Sequence, residues 1–208
     1  MAVPLVDRTV VNISLERLSG LRAFDATNLT ATLGAGTAGP AVEAALRAHG
    51  CTLGHFPQSF EFSTVGGWAA TRSSGRQSLR YGRIEQWLQS ARLATPLGAF
   101  AAAGGAPASS ARPGLREVVL GSEGPLGLLT DVTLRVRRLP ERESFHAVFF
   151  PSWDARLGAV RTLVQENVAL SMLRHCNPKE TVTQLALAEG HERALAWLDR
   201  YIDATRSC

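Results

Sequence analysis

The chain has 208 residues and a mass of 22.3 kDa, with 45% apolar and 19% charged side chains, a balance that excludes a disordered or fibrous protein. At a prior of about 150 residues per domain the length corresponds to about 1.4 domains. The net charge of +4 comes almost wholly from scattered arginines, and the densest group, Arg135, Arg137, Arg138 and Arg142, is interleaved with apolar residues, which argues against a nucleic-acid footprint and for a solvated strand face.

In chain order, Thr9-Val-Val-Asn-Ile-Ser14 reads as a strand, and the start of the chain lacks the basic and apolar regions of a secretory signal. Leu29-Thr-Ala-Thr-Leu33 alternates as a half-buried strand does. Gly39-Pro40 opens a short helix with Val42, Ala45, Leu46 and His49 on one face, and Gly50 stops it. Residues 51–82 hold five glycines and many hydroxyls with little period. A stretch of that length is expected to be functional or to hide elements of its own. Residues 89–95, the turn Pro96-Leu-Gly98 and Ala99-Phe100 predict a hairpin. Residues 101–114 are Ala/Gly-rich and predict a surface loop.

A second glycine-rich stretch, Gly121-Ser-Glu-Gly-Pro-Leu-Gly127, feeds the clearest strand. There Leu128, Thr130, Val132, Leu134 and Val136 are expected on one face, with Asp131, Thr133, Arg135 and Arg137 on the other. Leu139-Pro140 marks a boundary. Beyond it, residues 145–150 read as a strand, Ser152 caps a helix carrying Trp153, Leu157, Val160 and Val164, and residues 192–203 form another amphipathic helix. No apolar run approaches the roughly 20 residues that cross a bilayer.

Glycine-rich loops bear on chemistry because their backbone N–H groups can approach an anion closely. The two candidates are residues 63–68 with 73–75, and residues 121–127. Neither continues into the Gly-Lys-Ser/Thr of a phosphate-binding P-loop, and neither has the glycine spacing of a dinucleotide-binding turn. Ser63 and Ser122 lack a nucleophile elbow, so no catalytic triad is supported. His55 and Glu61 lie among aromatic residues, a segment expected to pack under a sheet. Cys51, Cys176 and Cys208 have neither zinc-ligand nor framework spacing and read as free thiols in a reducing cytosol. The five histidines form no metal-like cluster, so no metal is expected. The residues by themselves lead to an α+β unit that binds an anion or a cofactor.

Gly54-His-Phe-Pro-Gln-Ser-Phe-Glu-Phe-Ser-Thr-Val-Gly-Gly-Trp-Ala-Ala-Thr-Arg-Ser-Ser-Gly75, then Tyr81-Gly-Arg-Ile-Glu85, then the 121–127 stretch followed by Leu-Leu-Thr-Asp131, resemble in order and spacing the vanillyl-alcohol-oxidase (PCMH-type) FAD-binding flavoproteins. Within that family, Glu61-Phe-Ser-Thr-Val-Gly-Gly-Trp68 is most similar to the alkyldihydroxyacetonephosphate synthase branch. The resemblance implies an α+β fold: the second subdomain of a PCMH-type FAD-binding domain over residues 1–138, then the beginning of an α+β substrate-binding cap over residues 139–208. It implies FAD as cofactor, lined by Pro57, Gln58, Ser59, Phe60, Glu61, Phe62 and Ser63, by Ala70, Thr71, Arg72 and Ser73, and by Glu123, Gly124, Pro125, Leu126, Gly127, Leu128 and Leu129. Arg174 falls where the family carries an arginine near the flavin and the substrate phosphate, and a planar, permanently charged fork suits a phosphate ester.

The implied activity is ether-lipid synthesis, the exchange of an acyl for an alkyl chain on a dihydroxyacetone-phosphate ester through a flavin adduct. The alternatives are an FAD-linked dehydrogenase of D-lactate or glycolate, and a non-catalytic fragment that needs a partner chain. A small lipid-phosphate substrate, peripheral membrane contact without a spanning segment, a homodimer and a cytoplasmic location (peroxisomal only in a eukaryote, with no address signal seen) complete the expectation. Gln58 stands where the family usually has aspartate, Pro125 where it has threonine and Asp131 where it has glutamate. Pro125 brings no N–H. The family's Gly-Gly-Gly-Thr-Ser loop is expected upstream of residue 1 and its catalytic tyrosine and histidine-rich segment downstream of residue 208, so the chain reads as a partial copy of a longer enzyme.

Overall fold

A computed structural model describes residues 11–102, 114–177, 179–181 and 183. The chain is α+β and divides after Pro140 into two compact units.

In the first unit, β1 (Leu21–Asp25) turns into β2 (Thr30–Gly34). Asp25 closes the turn by accepting from the backbone N–H groups of Thr27 and Asn28, at 2.8 and 2.9 Å, and from the Asn28 side chain. Those bonds from Asn28 and Thr27 hold its carboxyl below the usual range. Residues 11–14 form no strand, and Val11 and Ile13 are exposed; residues 9 and 10 lie outside the described residues. Residues 18–20 instead hydrogen-bond the loop after β2, where Gly34 N–H donates to Gly20 O and Gly36 N–H to Leu18 O.

Helix α1 (Gly39–Arg47) has proline in its first turn and buries Val42 and Leu46. Ala45 is half-buried and His49 falls past the helix end, stacked on Phe24 at 4.2 Å. Its buried Glu43 accepts from Thr52 Oγ1 at 2.7 Å and Leu53 N–H at 3.0 Å, which ties the helix to β3 (Cys51–Thr52). The stretch 51–82 is not one loop. It contains β3, α2 (Val65–Ala70) and α3 (Ser78–Tyr81), elements too short to show a period. α4 (Ile84–Trp87) leads into the expected hairpin, β4 (Leu88–Thr95) and β5 (Gly98–Ala102). Residues 103–113 of the expected surface loop lie outside the described residues. After them come α5 (Leu115–Val119), β6 (Leu128–Arg135) and β7 (Arg137–Arg138), the last paired antiparallel with β3.

The described residues form a five-stranded antiparallel sheet in the order β1-β2-β6-β4-β5. Its inner face, with Ala31, Leu33, Ala91, Leu93, Val132 and Leu134, joins Val65, Trp68, Ile84 and Trp87 in one apolar core. β6 corrects the sequence reading. Arg92 pairs with Asp131 but Leu93 with Leu129, so Thr130 is an extra residue in the ladder. That bulge reverses the alternation below it: Leu129 is buried and Leu128 exposed. The outer face is polar, with Thr32 and Thr133 bonded at 2.9 Å and Asp131 between Arg22 and Arg92.

In the second unit, residues 145–150 form no strand and Phe145 and Val148 are exposed, because no described segment offers them a ladder. α6 (Trp153–Gln165) follows, with Ser152 Oγ accepting from Ala155 N–H at 3.2 Å as its cap. Leu157 and Val160 are half-buried, Trp153 and Val164 exposed, and no α6 residue is fully buried. Arg156 stacks on Trp153 at 3.7 Å and donates to Cys176 O. The helix expected over 192–203 lies outside the described residues. Among the described residues no helix is long and apolar enough to cross a membrane.

Candidate functional site

The first unit gathers the sequence-predicted segments around α2. At its N-terminus Thr64 is the cap, accepting from Gly67 N–H, while Val65 N–H donates to Thr37 O and Gly66 N–H to Ala35 O at 2.9 and 2.8 Å. A Cβ on Gly66 would lie 2.6 Å from Ala35 Cβ, so only glycine permits that crossing. The glycine-rich stretch 63–68 therefore spends its donors inside the protein, which removes the anion role its composition suggests.

Residues 57–63 curl over that end of α2. Ser63 Oγ donates to Ser59 O at 2.8 Å and accepts from Trp68 Nε1 at 2.7 Å, while the Phe60 ring stacks on Trp68 at 6.2 Å. Pro57 is buried, Phe60 and Ser63 are half-buried, and Gln58, Ser59, Glu61 and Phe62 are exposed. Phe62 is 91% exposed. The backbone N–H groups of Gln58, Ser59 and Glu61 bond no acceptor among the described residues.

At the other end of α2, Gly121 N–H donates to Ala69 O and Glu123 N–H to Ala70 O, both at 3.1 Å. Arg72 Nε donates to Leu120 O at 3.2 Å, and its Nη2 pairs with Glu117 at 3.1 Å. Stretches some 50 residues apart in sequence are thus locked side by side. Past the lock the loop opens. Gly124 has φ +109° with nothing within 4 Å of where a Cβ would stand. The N–H groups of Gly124 and Leu126 bond no acceptor among the described residues, and Pro125 between them has none. Gly124, Pro125, Gly127 and Leu128, with Ala94, Thr95 and Pro96, line an open apolar hollow of ≈ 430 Å³. Leu129 turns the other way, into the core.

His55 belongs to this cluster; its place among aromatic residues points only to packing, which it also performs, edge-on to Trp68 at 5.0 Å. Its Nε2 lies 2.7 Å from Ser73 Oγ, and its buried Nδ1 has no partner among the described residues. Burial pushes its pKa down to about 4, so the ring is neutral at pH 7.

Arg174 lies in the second unit, exposed and ion-paired to Glu180. The bond to Glu180, with the charges of Cys176 and Glu180 beside it, raises the guanidinium pKa; Arg174 in turn lowers that of Glu180. Among the described residues no three His, Cys, Asp or Glu side chains gather as a metal site. Cys51 and Cys176 are free thiols; Cys208 lies outside the described residues.

Two exposed loops with unspent N–H donors, one of them beside an apolar hollow, fit a ligand that joins a diphosphate to flat apolar rings. Comparison with known proteins points the same way. Residues 3–104 match the family described as FAD binding domain. The chain is 37% identical over 182 residues to alkyldihydroxyacetonephosphate synthase of Dictyostelium discoideum, covering 88% of this chain and 29% of that protein. It is 31% identical over 152 residues to an FAD-linked oxidoreductase of Escherichia coli strain K12, covering 73% of this chain and 31% of that one. A solved alkyldihydroxyacetonephosphate synthase structure superposes with a TM-score of 0.80 at 33% identity, over 97% of this chain and 37% of that chain. The chain therefore spans about a third of the length of these relatives.

Proposed function

We propose, from the premise that this chain belongs through residues 3–104 to the FAD binding domain family, that residues 57–63, 70–73 and 123–129 are its contribution to the FAD site. The whole enzyme, on this reading, exchanges an acyl for an alkyl chain on a dihydroxyacetone-phosphate ester, as its similarity to the synthases suggests. The observation that carries the cofactor assignment is the pair of bonds from Gly121 and Glu123 to Ala69 and Ala70. They bring the 70–73 and 121–129 segments together on α2, whose other end holds 57–63.

FAD supplies the reactive flavin ring, and the chain's residues supply binding and orientation. The N–H groups of Gly124 and Leu126, next to the Glu123–Ala70 lock, would hold the diphosphate of the cofactor. Leu128 and the hollow beside it offer apolar surface to a ring. Residues 139–208 begin the substrate-binding cap, where Arg174 grips the substrate phosphate after exchanging Glu180 for it. The substrate is a lipid phosphate, which brings the full enzyme to a membrane surface. A homodimer in the cytoplasm completes this reading.

Titration of the 208-residue chain with FAD, followed by flavin fluorescence, tests the cofactor assignment. A weak but saturable isotherm that ADP displaces is expected. A linear response up to millimolar FAD contradicts it.

A further inference from the structure

We propose that His55 is a positioning residue whose Nε2–H donates to Ser73 Oγ, turning the serine's own proton outward as a donor to an anionic group of the bound cofactor. The proposal rests on the FAD reading above for the identity of that anion, and on hydrogen-bond accounting for the direction of the proton.

His55 is 1% exposed and its two nitrogens have unequal surroundings. Nε2 has Ser73 Oγ at 2.7 Å; Nδ1 is buried and has no partner among the described residues. The packing there is tight, since a Cβ added to Gly75 would come within 3.3 Å of Nδ1 and 2.7 Å of Phe56 N. A neutral imidazole carries one proton. Placed on Nδ1, it would be an orphaned buried donor, the rarer and costlier kind of unsatisfied group; placed on Nε2, it leaves only an unsatisfied lone pair on Nδ1. The second arrangement makes Nε2 the donor to Ser73.

The consequence falls on the serine. With its oxygen accepting from His55, the Ser73 hydroxyl must send its proton elsewhere. Nothing else in its segment offers a hydroxyl proton. The N–H groups of Thr71, Arg72 and Ser73 donate to Gly67 O, Ala69 O and Trp68 O, and Thr71 Oγ1 donates to Gly67 O. Arg72 is drawn away to Leu120 and Glu117. Ser73 is half-buried, so the residue is partly open to solvent. It is thus the hydroxyl donor left in the 70–73 segment, and His55 decides which way it points. The opposite tautomer would pin the serine proton on Nε2 and leave the segment without that donor.

Two measurements on the full chain decide this. Nitrogen-15 NMR of the histidine rings at pH 7 should give His55 the Nε2–H tautomer; an Nδ1–H tautomer overturns the proposal without touching the FAD assignment. FAD titrations of Ser73→Ala, His55→Phe, His55→Gln and the double variant read the coupling. Ser73→Ala and His55→Phe should each weaken FAD by about tenfold, the effect of one charge-assisted hydrogen bond. The double variant should be no worse than either, and His55→Gln, which keeps a donor at the Nε2 position, should stay within about twofold of wild type. Multiplying losses in the double variant, or an unchanged affinity in Ser73→Ala, overturn the proposal while wild-type binding upholds the FAD reading. Absence of FAD binding by the wild-type chain overturns that reading and the donor role together. Thermal melts of each variant identify a loss due to unfolding, and His55→Gln rescue in a folded chain is what a purely structural role would not produce.

Discussion

The surroundings of α2 and of α6 differ in what they bury. α2 has six residues, two of them glycine, yet four of the six are buried and both of its ends are tied to loops far away in sequence. α6 has thirteen residues and a capped start, and none of them is buried. Helix length and local propensity therefore do not decide which element is fixed. Tertiary partners do, as expected when most helical stability comes from packing. The buried, tied segment is the one on which the loops proposed to bind the cofactor converge, whereas the region carrying Arg174 stands without a core of its own among the described residues.

The largest test of that contrast is Trp68→Ala. Trp68 is buried, stacks with Phe60, meets the edge of His55 and anchors Ser63, so its loss should cost about 3–5 kcal/mol in chemical denaturation of the first unit. A cost below about 1 kcal/mol would mean that α2 is not the anchor described.

Acid provides the second test. The folded-state pKa of His55 is about 4 against 6.5 unfolded, so below 6.5 the unfolded chain takes up the proton more readily. Its neutral burial contributes fully above pH 6.5, and that contribution is lost as pH falls toward 4, by about 3 kcal/mol in all. Denaturation midpoints from pH 7 to pH 4 should follow this fall, and His55→Phe should flatten it. An equal acid dependence in His55→Phe would remove His55 as its source.

Sequence legibility followed the same division. The alternation over 29–33, Gly39-Pro40 and the Pro96–Gly98 turn could be read because each is a local signal, satisfied by neighbours a few residues away. The Thr130 bulge could not, since it exists only in the pairing of β6 with β4, and it exchanged Leu128 for Leu129 in the core. Residues 145–150 have the composition of a strand but no described strand to pair with. α2 was hidden inside its glycines because its stability comes from Thr37, Ala35 and the 121–123 stretch. At the candidate site, the glycine-rich composition of 63–68 suggested free donors that the fold spends internally. His55 could be seen as an aromatic packer but not as the partner of Ser73, a contact 18 residues away that no spacing rule encodes.

Smaller effects belong to the second unit. Ser152→Ala removes the α6 cap and should cost about 1 kcal/mol of local stability, seen as faster amide exchange in the first turn of α6 with exchange around α2 unchanged. Spread of the effect to α2 would contradict the division after Pro140. Arg174→Ala, at an exposed position, should leave the denaturation curve and the FAD isotherm unchanged while weakening dihydroxyacetone phosphate by about tenfold. Unchanged phosphate affinity would remove Arg174 from the substrate site.

The most direct test of the cofactor site is amide NMR mapping of the 208-residue chain with FAD added. Shifts concentrated at residues 57–63, 70–73 and 123–129, with Gly124 and Leu126 among the largest, are predicted. Shifts centred elsewhere in the chain, or a spectrum unmoved at millimolar FAD, would contradict the account.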